Sequence, residues 1–178
     1  MKILAISGSL RAASINSTLL RAAARLAPPD VEINISHVIG DLPLFNPDLE
    51  LHMPPTVVRL HAEIAAADAL LIASPEYAHG VTGALKNMLD WLVSFEPFVY
   101  KPIAIFNASP RAQHADVALR EILTTMSAII VEAASIKIAL LGAHLSESAI
   151  VESPAIAHSI ALALADLRAA VDDRRRAD

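Results

Sequence analysis

Lys2-Ile3-Leu4-Ala5-Ile6-Ser7-Gly8-Ser9-Leu10-Arg11-Ala12-Ala13-Ser14-Ile15-Asn16-Ser17 begins as an apolar run, breaks at Ser7-Gly8-Ser9 and passes into a segment with helical spacing. Lys2–Ser7 has the length and β-branched content of a buried strand. From Ile15 to Ala27, residues Leu19, Leu20, Ala23, Ala24 and Leu26 recur at helical spacing, and Pro28-Pro29 ends the pattern. A strand that feeds a helix through a short loop is the repeating unit of an α/β fold.

The alternation continues along the chain. Val31–Val38 alternates apolar and polar residues, as an edge strand does. A proline-rich loop, Gly40–Pro55, leads to a helix over Val57–Ala67 and an apolar strand over Asp68–Ser74. The spacing then predicts a helix over Val81–Phe95, a strand over Pro102–Ala108, a helix over Asp116–Ile129, a strand over Ile136–Leu141 and a closing helix over Pro154–Ala170. Five strands alternating with five helices predict a parallel sheet covered on both faces, in one domain spanning residues 1–178. In such a sheet, ligands bind beyond the carboxyl ends of the strands, where strand order reverses. The loops that matter are then Ser7–Ser17, Ser74–Gly83 and Asn107–His114.

Composition narrows the function. The chain has 178 residues, enough to bury about 70% of its unfolded surface without disulfides or metal. It contains no cysteine, which excludes disulfide scaffolds, thiolate metal centres and cysteine nucleophiles. Its net charge of −5 offers no basic excess for nucleic acid. Mean hydropathy is +0.48, yet the longest apolar runs, such as Ala69–Ala73, Ile103–Phe106 and Ile136–Leu141, have strand length. The expectation is a cytoplasmic chain that uses neither membrane nor nucleic acid, with surplus apolar surface spent on a subunit interface. The terminal Arg174-Arg175-Arg176 reads as a solvated helix end that complements the dipole there.

The first loop packs four serine hydroxyls, Asn16 and Arg11 against a helix start. Unpaired N–H groups and the positive helix end attract an anion there, and Arg11 adds a forked charge. The competing reading is an ordinary loop with Ser14 as N-cap. A single phosphate fits best. No Gly-Lys-Ser/Thr is present for a triphosphate, and the G-x-G-x-x-G spacing is absent. In the second loop, Ser74-Pro75-Glu76-Tyr77-Ala78-His79-Gly80, Pro75 stiffens the strand exit and Tyr77 offers an aromatic wall, so a flat polar ring can lie against the backbone.

Two motifs together carry a resemblance. Gly8-Ser9-Leu10-Arg11-x-x-Ser14-x-Asn16 and Ser74-Pro75-Glu76-Tyr77-x-His79-Gly80-x-x-Gly83-x-Leu85-Lys86-Asn87-x-x-Asp90-Trp91 resemble the NAD(P)H-dependent FMN reductase family, from Lys2 to about Leu141. That family includes flavin, quinone, azo-dye and chromate reductases. The resemblance implies a flavodoxin-like three-layer sandwich with strand order 2-1-3-4-5, FMN as cofactor and NADPH or NADH as co-substrate. It implies that Ser9, Arg11, Ser14, Asn16 and Ser17 hold the FMN phosphate. It also implies that Pro75, Glu76, Tyr77, Ala78, His79 and Gly80 line the isoalloxazine, mainly through backbone groups. Relatives often carry Asn where this chain has Ala78 and Pro where it has Thr82. The third loop lacks the glycines common in relatives; Ser109 is expected at the ring and Arg111 at a nicotinamide nucleotide phosphate.

Flavin chemistry needs no side-chain nucleophile, so no catalytic residue is named and no metal is expected. His79 is either beside the ring or a packing residue, and Glu76 reads as structural. His37, His52, His61, His114, His144 and His158 show no metal-ligand spacing. Lys86 and Asp90 are four apart and can pair. By resemblance the chain is a homodimer or dimer of dimers, associating through the Val81–Phe95 helix and the Phe95–Phe98 turn. The acceptor is expected to be a small molecule, a flavin or a quinone. The alternatives are a flavodoxin-type electron carrier and a nucleotide-binding domain without redox function.

Overall fold

Strand and helix alternate in the computed structural model, which describes residues 1–143 and 145–177. His144, one of the histidines read above as without metal-ligand spacing, lies outside the described residues. The elements run β1 (Lys2–Ser7), α1 (Ile15–Leu26), β2 (Glu32–Ile35), α2 (Pro55–Ala66), β3 (Ala69–Ala73) and α3 (Gly83–Asp90). They continue with β4 (Pro102–Asn107), α4 (Gln113–Thr125), β5 (Ile129–Ile130), β6 (Ile136–Lys137), α5 (Glu147–Glu152) and α6 (Pro154–Ala177). The sheet is parallel in the order β2-β1-β3-β4-β5, with β6 also pairing β4. This is the flavodoxin-like order that the resemblance implies.

The period-two alternation of the central strands explains the two covered faces. Ile3, Ala5, Ala69, Leu71, Ala73, Ala104 and Phe106 point toward α1, α5 and α6, where Leu19, Leu20, Ile150, Ile160 and Leu164 meet them. Leu4, Ile6, Leu70, Ile72, Ile103 and Ile105 point the other way, onto Leu60 and Ile64 of α2, Leu85 and Leu89 of α3 and Leu119 and Leu123 of α4. By length and composition α6 is long and apolar enough to cross a membrane. In the fold its Ile160, Ala163, Leu164, Leu167 and Val171 are buried against the sheet.

The edge beside β4 differs from the expected single strand over Ile136–Leu141. β5 pairs with Pro102 and Ile103, a 3₁₀ turn over Glu132–Ala134 interrupts the edge, and β6 resumes it opposite Phe106 and Asn107. Ile129, read as a helix end, therefore starts a strand, because α4 stops at Thr125 and Ser127 takes a left-handed φ of 59°. The helix expected over Val81–Phe95 is regular only over Gly83–Asp90; Pro97 turns the following segment into a 3₁₀ turn over Glu96–Phe98. The short helix α5 was not expected at all.

The helix α3 also explains part of the second motif. Asn87 Oδ1 accepts the Phe45 N–H (2.8 Å) and Asn87 Nδ2 donates to the Pro43 carbonyl (2.9 Å). Trp91 Nε1 donates to the same carbonyl (2.8 Å), and Phe45 meets the indole edge-on. Asn87 and Trp91 thus pin the proline-rich loop to the body of the fold. Lys86 and Asp90 pair within the chain, as their spacing suggests.

Candidate functional site

Strand order reverses between β1 and β3, so the loops leaving these strands diverge around a crevice. At their root they are pressed together. Gly8 N–H donates to the Ala73 carbonyl (2.8 Å), and a Cβ built on Gly8 would lie 2.2 Å from Ser74 Oγ and 2.7 Å from Ser74 Cβ. Only glycine permits this approach.

The first loop ends at the start of α1. Ser14 is the N-cap, and its hydroxyl accepts the Ser17 N–H (3.4 Å), as the capping reading expects. The N–H groups of Ile15 and Asn16 have no partner among the described residues. Asn16 is 4% exposed and its Oδ1 is buried with no hydrogen-bond partner. A buried unpaired amide oxygen is costly unless something supplies a donor. Ser17 is committed to the wall itself, its hydroxyl 2.8 Å from that of Ser7.

The second loop forms a tight reversal. Tyr77 and Gly80 exchange both backbone hydrogen bonds, at 3.2 and 3.0 Å. Between them Ala78 (φ 48°) and His79 (φ 59°) take the left-handed conformations of a type I′ turn. The His79 ring stacks on that of His114, 4.2 Å between centroids, so His79 packs against the start of α4. The Glu76 carboxylate accepts the Ala115 N–H (2.9 Å) and caps α4, whose own N-cap, Ala112, has no side chain to offer.

The third loop keeps its shape without glycine because both ends of one amide brace it. Asn107 Oδ1 accepts the Ser109 N–H (2.9 Å) and Asn107 Nδ2 donates to the Ala112 carbonyl (3.0 Å). These segments enclose a cleft of about 620 Å³, a normal size for a small-molecule site. Ser9, Arg11, Ser14 and Asn16 line one part, Pro75, Glu76 and Tyr77 another, and Ser109 and Arg111 a third. Ser17, Ala78, His79 and Gly80 are not among the lining residues. Neither Arg11 nor Arg111 enters an ion pair among the described residues. A fourth wall was missed from the sequence: Leu140, Leu141, Gly142 and Leu145 also face the cleft. Leu140 and Leu141 read as a strand end, but their N–H groups turn back onto the Ala108 carbonyl (3.1 Å each).

The donor set fits a flavin mononucleotide. Unpaired helix N–H groups and Arg11 suit a phosphate, the orphan Asn16 oxygen suits a hydroxyl of the sugar chain, and the Pro75–Tyr77 strip suits a flat ring. No group of three or more metal-ligating side chains is found among the described residues.

Known proteins resemble this chain in sequence and in fold. A chain from Pseudomonas aeruginosa named NAD(P)H-dependent FMN reductase is 46% identical over 112 residues, covering 61% of this chain and 60% of that protein. A quinone reductase of Escherichia coli is 34% identical over 140 residues, 73% of each chain. Among solved structures, the flavoenzyme NAD(P)H:(acceptor) oxidoreductase FerB of Paracoccus denitrificans superposes with a TM-score of 0.79 at 27% identity, over 96% of this chain and 95% of that one. Residues 1–140 match the profile of the family described as NADPH-dependent FMN reductase, and the chain belongs to that family.

Proposed function

We propose that the chain is an NAD(P)H-dependent oxidoreductase that holds FMN in the cleft between the first three loops and passes electrons to a small acceptor, a flavin or a quinone. The observation that carries this reading is the meeting of an anion-receptive helix start and a flat, stiffened shelf within one cleft. When bound, FMN supplies hydride acceptance from the nicotinamide and one- or two-electron transfer to the acceptor. Ser9, Arg11, Ser14 and the backbone N–H of Asn16 hold the phosphate end, and the Asn16 side chain meets the sugar chain beside it. Ser17 braces Ser7 behind them. Pro75, Glu76 and Tyr77 carry the ring, with Ala78, His79 and Gly80 as its outer rim and Ser109 opposite. Arg111, exposed at the mouth, meets a phosphate of the nicotinamide nucleotide. No side chain of this cleft is assigned a nucleophilic step.

The relatives named quinone reductase and FMN reductase support the acceptor class, and the cytoplasm is the proposed compartment. We further propose a homodimer or dimer of dimers. Trp91, Leu92 and Phe98 are spent on the chain's own core, so the contact surface is the exposed Val93 and Leu51, joined by the Ser94–Glu50 hydrogen bond (2.9 Å). Sedimentation showing a monomer at micromolar concentration would remove the dimer.

The test of the function is an absorbance spectrum of the pure protein loaded with FMN, followed by anaerobic addition of NADPH and of NADH. Rapid bleaching of the yellow band by at least one nucleotide is expected. A bound flavin that neither nucleotide bleaches would leave an electron carrier; a protein that takes up no FMN would end the proposal.

A further inference from the structure

Thr82 is buried, 4% exposed, and lies outside the cleft lining. Its hydroxyl does two things at once. It donates to the Gly8 carbonyl (2.6 Å), 74 residues away in the chain, and it accepts the Leu85 N–H (3.2 Å) as N-cap of α3. The Gly8 carbonyl and the Ser9 N–H belong to one peptide plane, so fixing the oxygen helps to fix that plane, whose N–H donates to Ser7 Oγ (3.3 Å), and with it the place of the Ser9 side chain. The preceding peptide is held as well, by the Gly8 N–H on the Ala73 carbonyl (2.8 Å). Ser9 follows directly and faces the cleft.

We infer that Thr82 is a positioning residue for the phosphate end of the site, acting through the Gly8–Ser9 peptide and touching no ligand itself. The inference rests on the reading of the first loop as the FMN phosphate site. A buried hydroxyl that donates to a loop carbonyl fixes that carbonyl more tightly than water does, because the loop would otherwise lose its partner and shift to recover one. The penalty of losing it falls on ligands with a phosphate. A ligand that has only the ring and sugar chain meets the shelf, which other bonds hold.

The experiment titrates the flavin-free protein with FMN and with riboflavin, which lacks the phosphate, following flavin fluorescence. Thr82→Val is expected to weaken FMN about tenfold and leave riboflavin little changed, and Thr82→Ser, which keeps the hydroxyl, is expected to restore the wild-type ratio. Thr82→Ala, which also removes the hydroxyl, serves if the valine variant does not fold, and the same loss of FMN preference is expected. Arg11→Ala is the control for the site reading. A selective FMN loss in Arg11→Ala with an unchanged FMN-to-riboflavin ratio in the Thr82 variants overturns the role of Thr82 alone. An unchanged ratio in Arg11→Ala overturns the phosphate site and the inference with it. Equal weakening of both flavins by the valine or alanine variant would mark Thr82 as a merely structural cap.

Discussion

The Glu76 carboxylate, in the loop after β3, accepts the backbone N–H of Ala115, in the first turn of α4. One side chain thus ties the second loop to the helix that follows the third, a helix with no side-chain cap of its own. A carboxylate at a helix N-terminus also meets the positive end of the dipole.

Glu76→Ala should therefore destabilise the fold by about 0.5–2 kcal/mol, the usual worth of an N-cap, read by urea denaturation. Glu76→Gln keeps an acceptor and should keep turnover. An inactive but stably folded Glu76→Gln would show that the carboxylate does chemistry instead of capping.

Gly8 and Ser74 make the contact that sets the spacing of the first two loops. Gly8→Ala places a methyl carbon against Ser74 Oγ and Cβ, at 2.2 and 2.7 Å, so the loops must part. Overpacking of this kind costs about 1–3 kcal/mol, and FMN affinity should fall with it. Combining Gly8→Ala with Ser74→Gly should recover most of the loss, because the double change removes both clashing atoms. Strict additivity of the two substitutions in denaturation would contradict the contact.

The turn at Ala78 stores strain. An alanine with φ of 48° costs about 1–2 kcal/mol, and glycine would give back about 0.5–1 of that through its freer unfolded chain. Ala78→Gly should raise the melting temperature by about 1–4 °C in a chain of this size. A lowered melting temperature would mean that the turn is held without strain.

Why some of this was legible and some not follows from particular residues. Ile3 to Ile6, Leu70 to Ile72 and Ile103 to Phe106 are buried from both sides, so β1, β3 and β4 read as unbroken apolar runs, while β2 was legible from its alternation. The edge was not, because Ile129-Ile130 and Ile136-Lys137 are two-residue strands separated by a 3₁₀ turn, and each is half covered. Ser14 announced the helix start. The roles of Glu76 and Thr82 were hidden because their partners, Ala115 and Gly8, are 39 and 74 residues away, and no local pattern encodes such a bond. Leu140 and Leu141 became a cleft wall only because the edge strand ends early at Lys137.

At the opposite pole of the sheet, Lys101 is buried and donates to the Ala67 carbonyl (2.7 Å). Burial holds its ammonium below the ordinary value of 10.5; Arg174 adds to the shift and Asp68 opposes it. In the alkaline window below 10.5, the unfolded chain keeps the Lys101 proton while the folded chain releases it. Stability should therefore rise with pH across that window. Lys101→Met should remove this contribution. Denaturation midpoints measured at several alkaline pH values check the slope, and an equal slope in both proteins would contradict the burial argument.

The central claim, that the turn leaving β1 grips the single phosphate of FMN, is tested most directly by fluorescence titration of wild type and Arg11→Ala with FMN and with riboflavin. A charged hydrogen bond contributes about 1.5–3 kcal/mol, so FMN should bind wild type far more tightly than riboflavin, and Arg11→Ala should weaken FMN by roughly 10- to 150-fold while sparing riboflavin. Equal affinity of the wild-type protein for the two flavins would contradict the account.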